Sequence, residues 1–405
     1  MGLLQAISGL NAANTAMDII SDNISNASTI GFKSKSIVFA DLTSRRNQTN
    51  KTEGMGVDIL KKKSNVDTGE IFFTNRNLDL NINKNGFFRL LAENGSVYYT
   101  RNGHFYIDKK HHIVNSAGMS LTGYSIDNYY LKFGNNYSNL RPIDLSNHTK
   151  ITGQPTTILK LFVTLNPHDK IKIKKEFNTQ ISTTYNHKLK TRIIDSFGKK
   201  RFINFYFVKT ANKIWDIYPL EQNKNKKITP FKIEFDNNGN IISDKILKMD
   251  IKLNNNGKEE KILLNLETTL QKKVTDKKNY FSHNGYTKGI IQNYKIENNG
   301  MIYGIYSNQK KIPLSNIVLS NFTNAENLKS EGNGIFSKNE MSGIETTGTP
   351  SSLGFGQITC GGLEKSNVDL NKEFINMIIA QRNYQSNVQV IKVEEKMFNI
   401  LMNLL

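Results

Sequence analysis

The sequence predicts an α+β chain, mainly β, nested so that its two ends pair as helices around inner β domains. Three observations carry this. After Gly362 neither Gly nor Pro interrupts the chain, and large apolar residues recur there at alternating spacings of four and three. The first 25 residues repeat that spacing. From Gly69 onward the pattern changes to short apolar runs separated by turns rich in Gly and Asn.

The C-terminal repeat reads Leu370, Phe374, Met377, Gln381, Tyr384, Val388, Ile391, Glu395, Phe398, Met402 and Leu405. Such spacing is the seam of a helix packed against another helix. Ser366 or Asn367 is expected to cap its start, with Asp369 in the first turn, where a carboxylate favours the helix dipole. At 1.5 Å per residue it would run about 55 Å. The N-terminal repeat is Leu3, Ile7, Leu10, Asn14, Met17, Ser21 and Ile24, with Leu4, Ala13 and Ile20 widening the stripe, and the two seams are expected to pair and then to recruit neighbouring subunits.

Asn26 and Gly31 break the first helix, since both residue types tolerate turn conformations. Residues 34–70 are polar, with Gly54 and Gly56, and read as extended chain and hairpin packed on something else. Alternation in Leu78-Asp79-Leu80-Asn81-Ile82, the turns at Asn85-Gly86, Glu93-Asn94-Gly95-Ser96 and Arg101-Asn102-Gly103, and the apolar runs between them predict strands. Strands recur at 192–195 and 202–207 around Gly198, and at 232–235 and 241–242 around Gly239, as in a sandwich or barrel. Beyond Gly285 the strand-and-turn pattern of residues 69–124 returns. The expected division is 1–26 with 366–405 as a helical coiled coil and 27–70 with 336–365 as a connector. Inside these lie 71–145 with 287–335 as an inner β domain, and 146–286 as an inserted outer one.

Length (405 residues) allows several domains and an ample core. The single cysteine, Cys360, excludes a disulfide framework within the chain and a cysteine-built zinc site. No run of eighteen apolar residues occurs, so membrane insertion is not expected. The start, Met1-Gly2-Leu3-Leu4-Gln5-Ala6, has no positive n-region and no small-residue cleavage site, so no cleaved secretory signal is expected.

The formal net charge is +19, and residues 150–288 carry +15 of it, with 28 Lys and Arg against 13 Asp and Glu. Basic runs such as Lys172, Lys174 and Lys175, or Lys199, Lys200 and Arg201, lack the aromatic interleaving of a nucleic-acid site. Abundant Lys, Asn and Ile fit compositional drift instead. No catalytic residue, cofactor-binding residue or metal site is expected. His111 and His112 would point to opposite faces of a strand, and no GxSxG, HExxH or P-loop occurs. Gly354-Phe355-Gly356-Gln357 lacks the third glycine of a dinucleotide fingerprint.

Asn23-Ile24-Ser25-Asn26-Ala27-Ser28-Thr29-Ile30-Gly31-Phe32-Lys33 resembles the N-terminal signature of bacterial flagellar rod and hook proteins. Asn77 to Ile82 with Gly86-Phe87-Phe88, and Tyr99-Thr100-Arg101-Asn102-Gly103 with Asn115 to Gly118, resemble internal motifs of that family. Gly362 to Asp369, holding Ser366 and Asn367, and Met377 to Tyr384, holding Gln381, Arg382 and Asn383, are similar to its C-terminal signature. Ile30 departs from the family, which usually has Pro there. The resemblance spans nearly the whole chain except its middle, and that insertion points to the hook branch rather than the rod branch.

The resemblance implies a structural subunit that polymerises with itself into a curved hollow tube between rod and filament, passing torque as a universal joint. It implies further partners, namely rod and hook-associated junction proteins, the hook cap and the type III export machinery. It also implies a location in the flagellum, reached without a cleaved signal peptide. Two other readings stand beside it, a distal rod subunit and a basic module that docks on nucleic acid or anionic membrane.

Overall fold

The computed structural model describes residues 2–45, 52–125, 140–172, 177–221, 229–252, 259–273 and 279–404. The chain divides into two compact units. The first comprises 1–148, 293–305 and 311–405, and the second 149–292 and 306–310.

In the first unit the helices are α1 (Gly2–Ser25) and α2 (Leu370–Leu404). Asp369 caps α2, its Oδ1 accepting from the backbone N–H groups of Asn371 (3.0 Å) and Lys372 (3.2 Å). This corrects the expected cap, because the helix starts later than Ser366 or Asn367 would allow. Asn367 has other work, described below. The polar stretch after α1 forms an antiparallel hairpin of β1 (Lys35–Arg45) and β2 (Thr52–Ser64), bulged after Val38 and Leu42. It lies on α1, where Ser8 Oγ accepts from Val57 N at 3.2 Å and the Gln5 side-chain amide donates to Gly54 O.

Two short pairings then join early chain to late chain. Ile71–Phe73 runs antiparallel to Gly362–Glu364, and Leu80–Asn83 to Gln357–Cys360. Inside them lies a larger sheet, in which Phe87–Leu91 has Val97–Thr100 on one side and Ser120–Ser125 on the other. Leu319–Phe322 bridges Phe87 and Phe88 to Glu345–Gly348. One aromatic core fills this sheet. Phe87 meets Phe322 and Phe336 edge-on at 6.3 and 5.9 Å, and Tyr99 meets Phe322 at 4.7 Å. Nesting therefore comes from hydrogen-bonded ladders between segments hundreds of residues apart.

The second unit holds two four-stranded sheets. One is the meander His187–Ile194, Lys200–Ala211, Ile214–Glu221 and Phe231–Glu234. The other orders as Ile246–Lys252, Glu259–Asn265, Ile158–Phe162 and Tyr280–His283, with one parallel pairing, Ile158 beside Leu263. Alternate residues of both sheets meet in one core that includes Leu161, Phe205, Phe207, Trp215, Ile262 and Leu264. The predicted turns around Gly198 and Gly239 join their strands as the sequence suggested.

Separate cores should melt separately. Leu264→Ala, which empties part of the second core, is expected to cost about 2–5 kcal/mol. Scanning calorimetry should show one transition lowered and the other unmoved.

Candidate assembly interface

The two helices run antiparallel, and their contacts show the register. Gly2 lies against Glu394, Gly9 against Asn387, and Asn23 Nδ2 donates to Glu373 Oε1 at 3.2 Å. Each step along α1 matches an equal step back along α2, which sets Ala16 opposite Ala380. The stripe of α1 facing α2 is thus built of small residues, Gly2, Gly9, Ala13 and Ala16, before it ends in Ile20 and Asn23. A Cβ on Gly9 would sit 2.7 Å from Asn387 Oδ1, so a larger residue there would have to push the Asn387 side chain aside. A third side of α1, with Gln5, Ser8, Ala12 and Ile19, turns toward the hairpin or is buried nearby.

Pairing of the ends is therefore observed, but through a different stripe from the one the spacing suggested. Leu3, Leu10, Asn14 and Met17 of the predicted α1 seam each follow a residue of the small stripe, which places them about 100° further round the helix. Leu3 and Ile7 are exposed (43% and 41%), and Leu10, Met17 and Ile24 are half-buried. On α2, Met377, Tyr384, Val388 and Ile391 are half-buried. Leu370, Phe374, Phe398 and Met402 are exposed, and Leu405 lies outside the described residues. The physical reason is distance. Large side chains on the inner stripe would hold the backbones apart, whereas Gly and Ala let them close and leave the bulky residues outside.

Because Gly2 is already level with Glu394, the last turns of α2 run past the start of α1. Met397, Phe398, Ile400, Leu401 and Met402 there are each more than half exposed. With Ile375, Ile378 and Ile379 further back, α2 presents apolar surface along most of its length. Contiguous surface of this kind marks a protein–protein contact.

A buried ionic cluster holds the base of this helix pair. Glu364 Oε1 accepts from Lys33 Nζ at 2.6 Å and from Gly69 N at 2.8 Å, and Oε2 pairs with Arg101 Nη1 at 3.3 Å. All three charged side chains are about 1–2% exposed. Lys33 also donates to Asp67 O, and Arg101 to Ile82 O (3.2 Å) and Lys84 O (2.6 Å). Burial pushes the Lys33 ammonium and the Arg101 guanidinium below their ordinary pKa values, while the Glu364 charge works against that push.

Most residues of the N- and C-terminal signatures fasten this region. Asn23 accepts from Lys35 N and donates to Lys35 O, both at 2.8 Å. Asn367 accepts from Ser34 N at 2.7 Å and donates to Asn65 O and Asp67 O at 3.0 Å. Asn26 closes the end of α1 onto Asp22 O (2.8 Å) and accepts from Thr29 Oγ1 (3.0 Å), with Ala27 half-buried between them. Gly31, at φ +68°, donates its N–H to Glu364 O, and a Cβ there would meet Asn102 N at 2.6 Å. Gly103 passes so close to Leu80 O that a Cβ would lie 1.7 Å away. Phe32 lies under the Lys35 ammonium at 5.9 Å, and Ser366 Oγ accepts from Val368 N at 3.4 Å. Gln381, Arg382 and Asn383 instead stand exposed on α2.

Sequence reasoning did not single out Glu364, and of the Gly and Ala stripe it named only Ala13. The signals were present in a lone acid between Leu363 and Lys365 and in small residues at heptad spacing.

Comparison with known proteins agrees with this architecture. Four family models match: "Flagella basal body rod protein" at 3–33, "Flagellar hook protein FlgE/F/G D1 domain" at 81–179, "Flagellar basal body protein FlaE D2 domain" at 164–286 and "Flagellar basal body rod FlgEFG protein C-terminal" at 361–404. The fold and the matched segments define a subunit of the flagellar rod-and-hook class. Flagellar hook protein FlgE of Salmonella typhimurium is 37% identical over 410 residues, covering 100% of both chains. The Borreliella burgdorferi protein is 30% identical over 443 residues, covering 99% of each. This chain belongs to the flagellar hook protein family. The crystal structure of Helicobacter pylori flagellar hook protein FlgE2 matches 73% of this chain and 100% of its own, with a TM-score of 0.54 at 16% identity, a likeness of fold.

Two outcomes test the site. Glu364→Gln, which strands two buried cations, is expected to lower stability by about 3–5 kcal/mol in urea denaturation. An oxidised A16C/A380C/C360S subunit should form an intrachain disulfide, whereas L10C/A380C/C360S should not.

Proposed function

We propose that this chain is the building block of the flagellar hook, polymerising with copies of itself into a curved hollow tube that joins rod to filament. The observation that carries the reading is the bare apolar face of α2. An isolated subunit leaves it in water, and a ring of neighbours would cover it. The predicted seam residues, Leu3, Ile7, Leu10, Met17, Ile24, Leu370, Phe374, Met377, Tyr384, Val388, Ile391, Phe398, Met402 and Leu405, would make those lateral contacts. In this arrangement 1–26 with 366–405 forms the inner layer and 27–70 with 336–365 the connector. Residues 71–145 with 287–335 form the middle layer, and 146–286 the outermost.

The role is mechanical, with no chemistry assigned to any residue. The helices would keep a permanent apolar seam while outer β domains slide past one another through polar contacts, so that the tube turns about its own bent axis and transmits torque. Rod, junction and cap proteins would meet the same subunit at the ends of the tube. Export would proceed through the flagellum's own type III apparatus, which needs no cleaved signal.

Phe398→Asp and Met402→Asp together should abolish tube formation, seen by electron microscopy, and leave the melting of the soluble subunit unchanged. Assembly of the unaltered chain should survive moderate salt, because an apolar seam is poorly screened. A basic module docking on nucleic acid would instead lose affinity steeply. Deleting 150–285 should leave tubes that form but no longer curve and swivel normally.

A further inference from the structure

The second unit carries a cleft of about 300 Å³ into which positive charge converges without a counter-charge. Arg192 and Lys200 approach it from adjacent strands. Lys200 pairs with Ile194, two residues along from Arg192, so the register puts both cations on one face of the meander. Lys310 enters from the turn 306–310, its ammonium 5.3 Å from the centre of the Tyr286 ring. That turn is strapped down by Asn308, which donates to Thr287 O at 2.6 Å, and by Ser307 Oγ, which accepts from Ile290 N at 3.2 Å. Hydroxyl and amide groups of Tyr286, Ser307 and Asn308 complete the wall, and no Asp or Glu lies among the lining residues.

Two observations separate this cleft from a merely solvated basic face. Arg192, Lys200 and Lys310 make no ion pair among the described residues, whereas nearby Arg201 binds Asp195 at 3.1 Å and Glu221 at 3.7 Å. Acids are thus used on this sheet where a cation is to be neutralised internally. In addition, His283 lies half-buried at the wall, its ring stacked on Phe281 and in polar contact with the Gly285 backbone, which favours its protonated form. Three like charges and an imidazole around one polar cavity match an acceptor-only ligand with several oxygens.

We propose that this cleft binds an oxyanion, a phosphate or carboxylate group seated among Arg192, Lys200 and Lys310 with His283 as a further donor. An imidazole so placed reports occupancy. Its pKa is held low, first by burial and then by the positive charge of Arg192 and Lys310, against the raising effect of a hydrogen bond with the Gly285 backbone. A bound anion reverses the electrostatic part.

The test is a pH titration of the full-length subunit carrying ¹³C-labelled histidine, with the His283 resonance assigned through His283→Gln. Inorganic phosphate should raise the His283 midpoint saturably, by about 0.5–1 unit. Sodium chloride at matched ionic strength should not, and R192M/K310M should remove the effect. A shift no larger in phosphate than in chloride, or undiminished in R192M/K310M, overturns the proposal. The same titration on assembled tubes without phosphate distinguishes the source. A raised midpoint there assigns the site to a carboxylate of a second copy. A midpoint that rises only on adding phosphate assigns it to the free ion. No rise in subunit or tube refutes both.

Discussion

One carboxylate, that of Glu364, sits where the nested chain closes, and the arrangement of both ends follows from how its charge is met. Lys33 and Arg101, which it binds, are 331 and 263 residues away in sequence. Removing three charges from water is expensive, and their attraction offsets that cost only when most of the remaining donors and acceptors are occupied as well. Here Gly69 N takes another acceptor site on Glu364, and the carbonyls of Ile82, Lys84 and Asp67 take further hydrogens of the two cations, leaving Arg101 Nε buried with no partner among the described residues. Three motifs that look independent along the sequence are therefore one object. None is satisfied in the absence of the other two, so the chain end after α1 has no stable place until the strand carrying Glu364 is paired with Ile71–Phe73.

From that fixed base the helices diverge in what their faces do. Interaction within the chain uses the smallest surface available, Gly2, Gly9, Ala13 and Ala16 against Asn387, Ala380 and Glu394, where close approach of backbones substitutes for bulk. Bulky residues are thereby freed for the outside. A subunit that hid Leu3, Ile7, Phe374 and Phe398 in its own helix pair would be a more stable monomer and a poorer polymer. In this molecule residue size divides the surface buried between the two helices from the surface left exposed on them.

The second unit obeys a different rule. Several of its strands, such as Ile158–Phe162 and His187–Ile194, bury alternate side chains in a two-sheet core and leave the others free to carry charge without cost to the fold, whereas Lys200–Ala211 is buried on both faces over much of its length. Several of its lysines, among them Lys160, Lys188, Lys190 and Lys232, sit on such positions and need no explanation beyond solvation. The cleft around His283 differs because its charges converge and its ring nitrogen is buried, and because acids elsewhere on the same sheet are already engaged.

Much of this was legible in the residues alone. Helix existence at both ends, the hairpin between them, the alternation of strands and the positions of the Asn-Gly and Gly turns followed from local rules of periodicity and backbone freedom. The signature segments pointed to the family before any coordinates, because asparagines and glycines at fixed offsets reflect specific backbone contacts. Only the tertiary structure decided which stripe of α1 meets α2, that Asp369 rather than Ser366 or Asn367 caps α2, that Glu364 is the common partner of Lys33 and Arg101, and that Arg192, Lys200, Lys310 and His283 share one cleft. Periodicity shows that a helix has an apolar face but not which neighbour that face meets. Partners hundreds of residues apart are set by how the ladders close, and a one-residue change of register would have moved every one of them.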